Sequence, residues 1–291
     1  MRPYHGEEKR ARMTTLGEGE LQLGDVEQAR GLRRFPLAKI IDVVRARSMF
    51  AAMRALGLGH KMFTLSSGET LRLRTNDRGA VRLVAERWYE PGVRTAIRRL
   101  LRPGMTVVDV GANIGYYTVQ FSSLVGPSGL VLAFEPQETA LSELQFNLRL
   151  NACNNVVVIP VALSDSTGTA PFYFPEPGNE GFGGLRQNSR FTAGRQASVP
   201  TALLDDVLEQ YRPGGVDLIK IDAEGAELSI LRGARGLLSS KQRPLILFEA
   251  VAENCAPFGY TPMDLFQMIT GFGYRLERLN QEDWLAQPQD S

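Results

Sequence analysis

The stretch VVDVGANIGYYT, residues 107–118, decides how the rest of this chain is read. β-Branched residues run into Asp109, glycines follow at Gly111 and Gly115, and an aromatic pair comes next. This is the pattern of a buried strand, a tight turn and the start of a helix. Gly111 lets the backbone turn sharply, and Gly115 lets the helix start lie close to the strand or to a ligand, because neither carries a Cβ. A dinucleotide-binding loop would read G-x-G-x-x-G and rest a pyrophosphate on the helix N-terminus. Here Asn113 stands where the second glycine of that fingerprint belongs, and Asp109 would put a negative charge near any phosphate. An acid at that position suits a ligand with positive charge.

Outward from this motif, short β-rich runs alternate with helical stretches: TVVDV (106–110), LVLAFE (130–135), VVVIPVAL (156–163), VDLIKID (216–222), PLILFEA (244–250) and YRLERL (274–279). Such alternation calls for an α/β fold with a doubly wound, mostly parallel sheet, which binds ligands at the carboxyl ends of its strands. Glu135 closes the second run, where an acid accepts hydrogen bonds from both hydroxyls of a ribose. A ribose-binding acid, a turn without the pyrophosphate fingerprint and an acid before that turn together point to S-adenosylmethionine. That molecule carries an adenosine and a cationic sulfonium but no phosphate.

Composition narrows the partners. Lys and Arg total 33 against 32 Asp and Glu, so no whole-chain field draws the protein to nucleic acid or an anionic surface. Cys153 and Cys255 lie far apart with no C-x-x-C spacing, which argues against a disulfide framework or a zinc site and fits a reducing compartment. The N-terminus has charges where a secretory signal needs an apolar run, and no stretch reaches the roughly 18 uncharged residues of a membrane span. The expectation is a cytoplasmic protein without a membrane partner.

Upstream of the motif, residues 62–75 alternate around a Ser-Ser-Gly turn and read as a hairpin. Leu37, Ile40, Ile41, Val44, Ala51, Ala52 and Leu56 recur at helical spacing, which predicts an amphipathic helix, or a pair, packed on the main domain or serving a homodimer. Residues 1–30 mix both charges without an apolar period, the composition of a flexible arm. Near the other end, Thr261 and Pro262 mark a helix start.

These residues also carry a family resemblance. VVDVGANIGYYT, the FEP at 134–136, PVALSDSTG at 160–168, IKIDAEGAELSILRGA at 219–234 and WYEPGV at 88–93 resemble the FkbM-like group of S-adenosylmethionine-dependent methyltransferases over roughly residues 62–280. The resemblance implies a class I methyltransferase (Rossmann-like) fold: a doubly wound, mostly parallel seven-stranded sheet whose last strand runs antiparallel. The domain plan it implies is a methyltransferase domain over 101–285, preceded by a helical and hairpin extension over 31–100. By the same likeness Asp109, Gly111, Asn113 and Gly115 would line the methionine part of the cofactor and Glu135 its ribose. Ala162, Leu163 and Ser164 would lie near the adenine. Members commonly methylate hydroxyls of natural products or sugars, and some methylate nitrogen in peptide side chains.

Methyl transfer from a sulfonium is an in-line displacement, but an alcohol acceptor must lose its proton to a positioned base. The chain has only His5 and His60, both upstream of the strand repeat, so carboxylates are the candidates. Asp222 at the tip of the fourth run and Glu224 just beyond it come first, then Glu249 at the tip of PLILFEA. The same three acids could instead hold a Mg²⁺ ion. Glu227 reads as a helix cap, and Lys220 falls on the strand face shared with Asp222. Residues 172–196, rich in Gly, Asn and Arg, are long for a connection and suggest a substrate loop, with Asn179, Glu180 and Phe182 as acceptor contacts. The reading is thus a methyltransferase acting on oxygen of a small molecule. Its rivals are transfer to a peptide or amide nitrogen, a nicotinamide-dependent oxidoreductase, and a non-catalytic adenosyl-binding module.

Overall fold

The computed structural model describes residues 37–85, 89–176, 183–187, 193–211 and 215–289. From Ala38 on, the chain forms one compact unit. A helix over Leu37–Ala55 leads to a hairpin, β1 (His60–Thr64) and β2 (Thr70–Arg74), turned at the Ser-Ser-Gly as expected. Helices over Arg78–Val84 and Pro91–Leu100 follow, then β3 (Thr106–Val110), the helix Tyr116–Val125, β4 (Leu130–Phe134), the helix Glu138–Leu150 and β5 (Val156–Ile159). Next come β6 (Ala162–Leu163), β7 (Gly168–Pro175), β8 (Ala193–Ala202) and the helix Leu204–Tyr211. The chain closes with β9 (Leu218–Ile221), β10 (Leu245–Glu249), the helix Pro262–Gly271, β11 (Tyr274–Arg278) and β12 (Asp283–Pro288).

Seven strands form the central sheet in the order β11-β12-β10-β9-β3-β4-β5. β3 pairs parallel with β4 on one side and with β9 on the other, and β12 alone runs antiparallel between β10 and β11. This is the sheet that the resemblance implied. β3, the first strand of this sheet in sequence, lies inside it between β9 and β4, so the order reverses there, and ligand crevices of doubly wound sheets open at that switch point. β3 is buried at every position, and its alternate side chains feed two cores: Val108 and Val110 on one face, Val107 with the helix Tyr116–Val125 on the other.

Three expectations change. The run 156–163 is not one strand: the chain leaves the sheet at Pro160, which has no N–H for the ladder, and β6 pairs instead with β8. The two ends of the expected loop over 172–196 are strand, residues 172–175 in β7 and 193–196 in β8, an antiparallel pair with Phe172 and Phe174 buried. The apolar residues at the start of the first helix do not pack inward. Leu37 is 71% exposed and Val44 54%, while Ala46 and Phe50 are the buried residues of that helix.

The hairpin is held to the helix Glu138–Leu150 by polar side chains. Asn147, fully buried, accepts from the Arg72 N–H at 2.7 Å and donates to the carbonyl of Ile114 at 2.8 Å, joining the hairpin to the glycine turn. Glu143, 3% exposed, accepts from Arg72 Nε at 2.8 Å and Arg74 Nε at 3.0 Å. Burial alone would raise its pKa, yet the bonds from Arg74 and Arg72 hold it below the ordinary 4.5. Its contribution is therefore present above that ordinary value and lost as pH falls through the lower folded value. Glu143→Gln is expected to cost about 1–3 kcal/mol near neutral pH and to flatten stability against pH below about 4.5, read by thermal melting. An unchanged melting profile would contradict this role.

Candidate active site

The glycine turn brings two strand tips together. Gly111 has φ +75°, and a Cβ there would stand 1.9 Å from the carbonyl oxygen of Asp222, so only glycine allows β3 and the segment after β9 to approach this closely. The N–H groups of Gly111 and Ala112 both donate to the carbonyl of Phe134 at 3.0 Å, tying the turn to the end of β4. Asn113 takes a left-handed conformation, φ +49°, and its N–H donates to Glu135 Oε2 at 2.8 Å. Glu135 Oε1 accepts from the N–H of Gln137, also at 2.8 Å. The carboxylate, 6% exposed, is thus fixed between two turns, and burial pushes its pKa up to about 7 although those N–H bonds pull it down.

Asp109 is fully buried. Its Oδ2 accepts from Thr118 Oγ1 at 2.6 Å, and its Oδ1 has no partner. Burial raises its pKa, with Lys220 opposing. Lys220 lies beside Asp109 in the β3–β9 register, with its Nζ 3.1 Å from Asp222 Oδ2 and 4.9 Å from the Tyr117 ring centroid. Burial works against the ammonium, but the carboxylates of Asp222, Asp109 and Glu90 outweigh it and raise the lysine pKa. The pairing of Lys220 with Asp222 is the one that strand alternation suggested.

One cavity collects these groups. Its walls include Asp109, Gly111, Asn113, Glu135, Ala162, Leu163, Asp222, Glu224 and Glu249, all predicted site residues. Ser164 and Gly115 are not among them. The Ser164 N–H is bonded to the Ala202 carbonyl, and a Cβ on Gly115 would press on Leu144, so that glycine serves helix packing. Asn179, Glu180 and Phe182 lie outside the described residues, although the neighbouring Gly183, Gly184 and Leu185 reach the cavity wall.

The three proposed catalytic acids are held differently. Asp222 pairs with Lys220 and keeps a third of its side chain exposed. Glu224 and Glu249 share the amide of Asn254, which donates to Glu224 Oε2 at 3.0 Å and Glu249 Oε2 at 2.9 Å. Among the described residues no group of three or more His, Cys, Asp or Glu side chains is arranged to hold a metal ion. Glu227 does not cap its helix as expected: its carboxylate accepts from the N–H groups of Ala223 and Gly225 in the turn before the helix, and the Tyr260 hydroxyl also donates to it.

Sequence reasoning gave no role to Tyr89, Glu90, Tyr117 or Glu282, which also line the cavity. Tyr117 donates its hydroxyl to Glu90 Oε2 at 2.5 Å. Burial and the charge of Asp222 raise the Glu90 pKa, with Lys220 and the tyrosines opposing. Among the described residues the walls carry eight carboxyl groups (Asp77, Glu90, Asp109, Glu135, Asp222, Glu224, Glu249 and Glu282) against the two cations Arg82 and Lys220. Such a chamber favours a ligand with positive charge. S-adenosylmethionine fits it: Glu135 offers acceptors to a ribose, the buried Asp109 Oδ1 lacks a donor, and the glycine turn admits close approach.

Comparison with known proteins agrees. Residues 109–276 match the family described as "Methyltransferase FkbM domain". The chain is 32% identical over 205 residues to methyltransferase sdnD of Sordaria araneosa, covering 61% of this chain and 76% of that protein. It is 31% identical to the 31-O-demethyl-FK506 methyltransferase FkbM of Streptomyces tacrolimicus, covering 46% of this chain and 60% of that one. It is 26% identical to the 2-O-methyltransferase NoeI of Sinorhizobium fredii, covering 50% and 64% respectively.

Two outcomes follow from this geometry. With its pKa near 7, Glu135 is protonated at lower pH and accepts from two ribose hydroxyls only as it ionises. Affinity for S-adenosylhomocysteine is therefore expected to rise up to about tenfold from pH 6 to pH 8, and Glu135→Gln is expected to abolish the rise in isothermal titration. Gly111→Ala, which puts a Cβ on the Asp222 carbonyl, is expected to cost at least about 2 kcal/mol of stability, read as a lower melting temperature.

Proposed function

Because the chain belongs to the FkbM methyltransferase family, we propose that it moves the methyl group of S-adenosylmethionine to a hydroxyl of a natural product or sugar-like small molecule. The observation that carries this reading is the joining of Glu135 and Asp109 to the strand-tip acids Asp222 and Glu249 in one cavity. Two of the relatives are named for methylation at oxygen, which supports the same acceptor chemistry.

Each residue has a physical task. Glu135, fixed by two backbone N–H bonds, accepts from the ribose hydroxyls. Ala162, Leu163 and Ile230 give the adenine an apolar wall and help exclude water. Asp109 faces the cationic end of the donor with its unpartnered oxygen. When bound, S-adenosylmethionine supplies a methyl carbon already activated by its sulfonium leaving group. What the protein must add is orientation of the acceptor and a place for its proton.

Asp222 fits that second task best. It stands at the β9 tip against the glycine turn, its carboxylate is partly open to the cavity, and Lys220 fixes one of its oxygens. Glu224 and Glu249, bridged by Asn254, form the adjoining wall where acceptor hydroxyls would find hydrogen-bond acceptors. Asp222→Asn is expected to lower methyl transfer to a panel of hydroxylated small molecules by about 10²- to 10⁴-fold while binding of S-adenosylhomocysteine changes by less than about threefold. Transfer at the wild-type rate by this variant would remove Asp222 from the reaction. A wild-type protein that fails to bind S-adenosylhomocysteine would remove the whole reading.

A further inference from the structure

Glu90 sits at the N-terminus of the helix Pro91–Leu100, where an acidic side chain ordinarily caps the exposed N–H groups. It makes no such bond. Its backbone instead takes the left-handed region, φ +41°, which costs a residue with a Cβ about 1 kcal/mol or more. Glu90 lines the wall of the cavity. There it is held by two tyrosines: the Tyr117 hydroxyl at 2.5 Å and a side-chain bond from Tyr89. The nearby cation, Lys220, has its ammonium on Asp222, so Glu90 is a largely buried carboxyl group held by neutral donors.

Glu90 shares the cavity wall with Glu135, Asp109 and Asp222, and its partner Tyr117 stands in the first turn of the helix that follows the glycine turn. A donor with its sugar on Glu135 and its sulfonium at Asp109 would bring its amino-acid arm to this acidic wall. The arm ends in an α-ammonium and a carboxylate.

We propose that Glu90, held by Tyr89 and Tyr117, binds the α-ammonium group of the methionine arm of S-adenosylmethionine. The inference rests on the methyltransferase reading above, and it assigns a cofactor contact to a residue upstream of the 109–276 span that matches the family. The left-handed backbone at Glu90 is then the cost of placing a carboxylate where the cationic arm ends.

The test uses the full-length protein and two probes, S-adenosylhomocysteine, which has the amino-acid arm, and 5′-methylthioadenosine, which lacks it. Isothermal titration is expected to show Glu90→Gln binding S-adenosylhomocysteine about tenfold more weakly, the loss typical of a charge-assisted hydrogen bond. The same variant should bind 5′-methylthioadenosine within about twofold of wild type, which also shows that its nucleoside pocket is folded. Tyr117→Phe should weaken S-adenosylhomocysteine by a smaller factor and leave 5′-methylthioadenosine alone. Equal binding of S-adenosylhomocysteine by wild type and Glu90→Gln overturns the proposal, as does an equal loss of both probes. Failure of the wild-type protein to bind S-adenosylhomocysteine overturns the methyltransferase reading instead.

Discussion

The structure depends on how Glu135 is held. Its two carboxylate oxygens each take a backbone N–H, one from the turn after β3 and one from the segment after β4, and this fixes the two leading strand tips in one arrangement. The Phe134 carbonyl, bonded to both Gly111 and Ala112, does the same from the other direction. A buried carboxyl group is costly to ionise, and the cost is offset only by donors placed around it. Glu135 has two such donors from the protein and capacity for more from a ligand. The pocket is therefore built before any ligand enters, which lowers the ordering cost of binding.

From that fixed edge the remaining charges follow along the strand ends. Asp109 on β3 is the register neighbour of Lys220 on β9, and the Lys220 ammonium bonds Asp222 just past the end of β9. One ammonium is thus stabilised by two carboxylates, with the Tyr117 ring beside it. The wall keeps an excess of acid, and burial raises several of those pKa values. That arrangement is unfavourable for an empty apolar cleft and favourable for one that receives a sulfonium and an ammonium. Stability given up at the strand ends is in keeping with their use as a binding site.

Much of this was legible in the sequence because it is local. Residues 107–118 carry a strand, a turn and a helix start in consecutive residues, and the acid at the end of LVLAFE follows at the spacing of the next strand. Thr261, Pro262 and Asp264 form the capping box that their order suggests. What was not legible depends on contacts between distant parts of the chain. Glu90 and Tyr117 meet across 27 positions, and Asn254 reaches back 30 positions to Glu224. β12, DWLAQP, has too little β-branched character to stand out and is a strand because β10 and β11 flank it. Leu37 to Val44 show the opposite failure: helical spacing is present, but it does not say that a surface is covered.

The central claim is that a cationic nucleoside lies across the tips of β3 and β4 with its sugar on Glu135. A crystal structure of the complex with S-adenosylhomocysteine tests it most directly. The account predicts both ribose hydroxyls within hydrogen-bond distance of the Glu135 carboxylate, with the thioether beside the turn at 111–115. Ligand density elsewhere on the molecule, or a ribose turned away from Glu135, would contradict it.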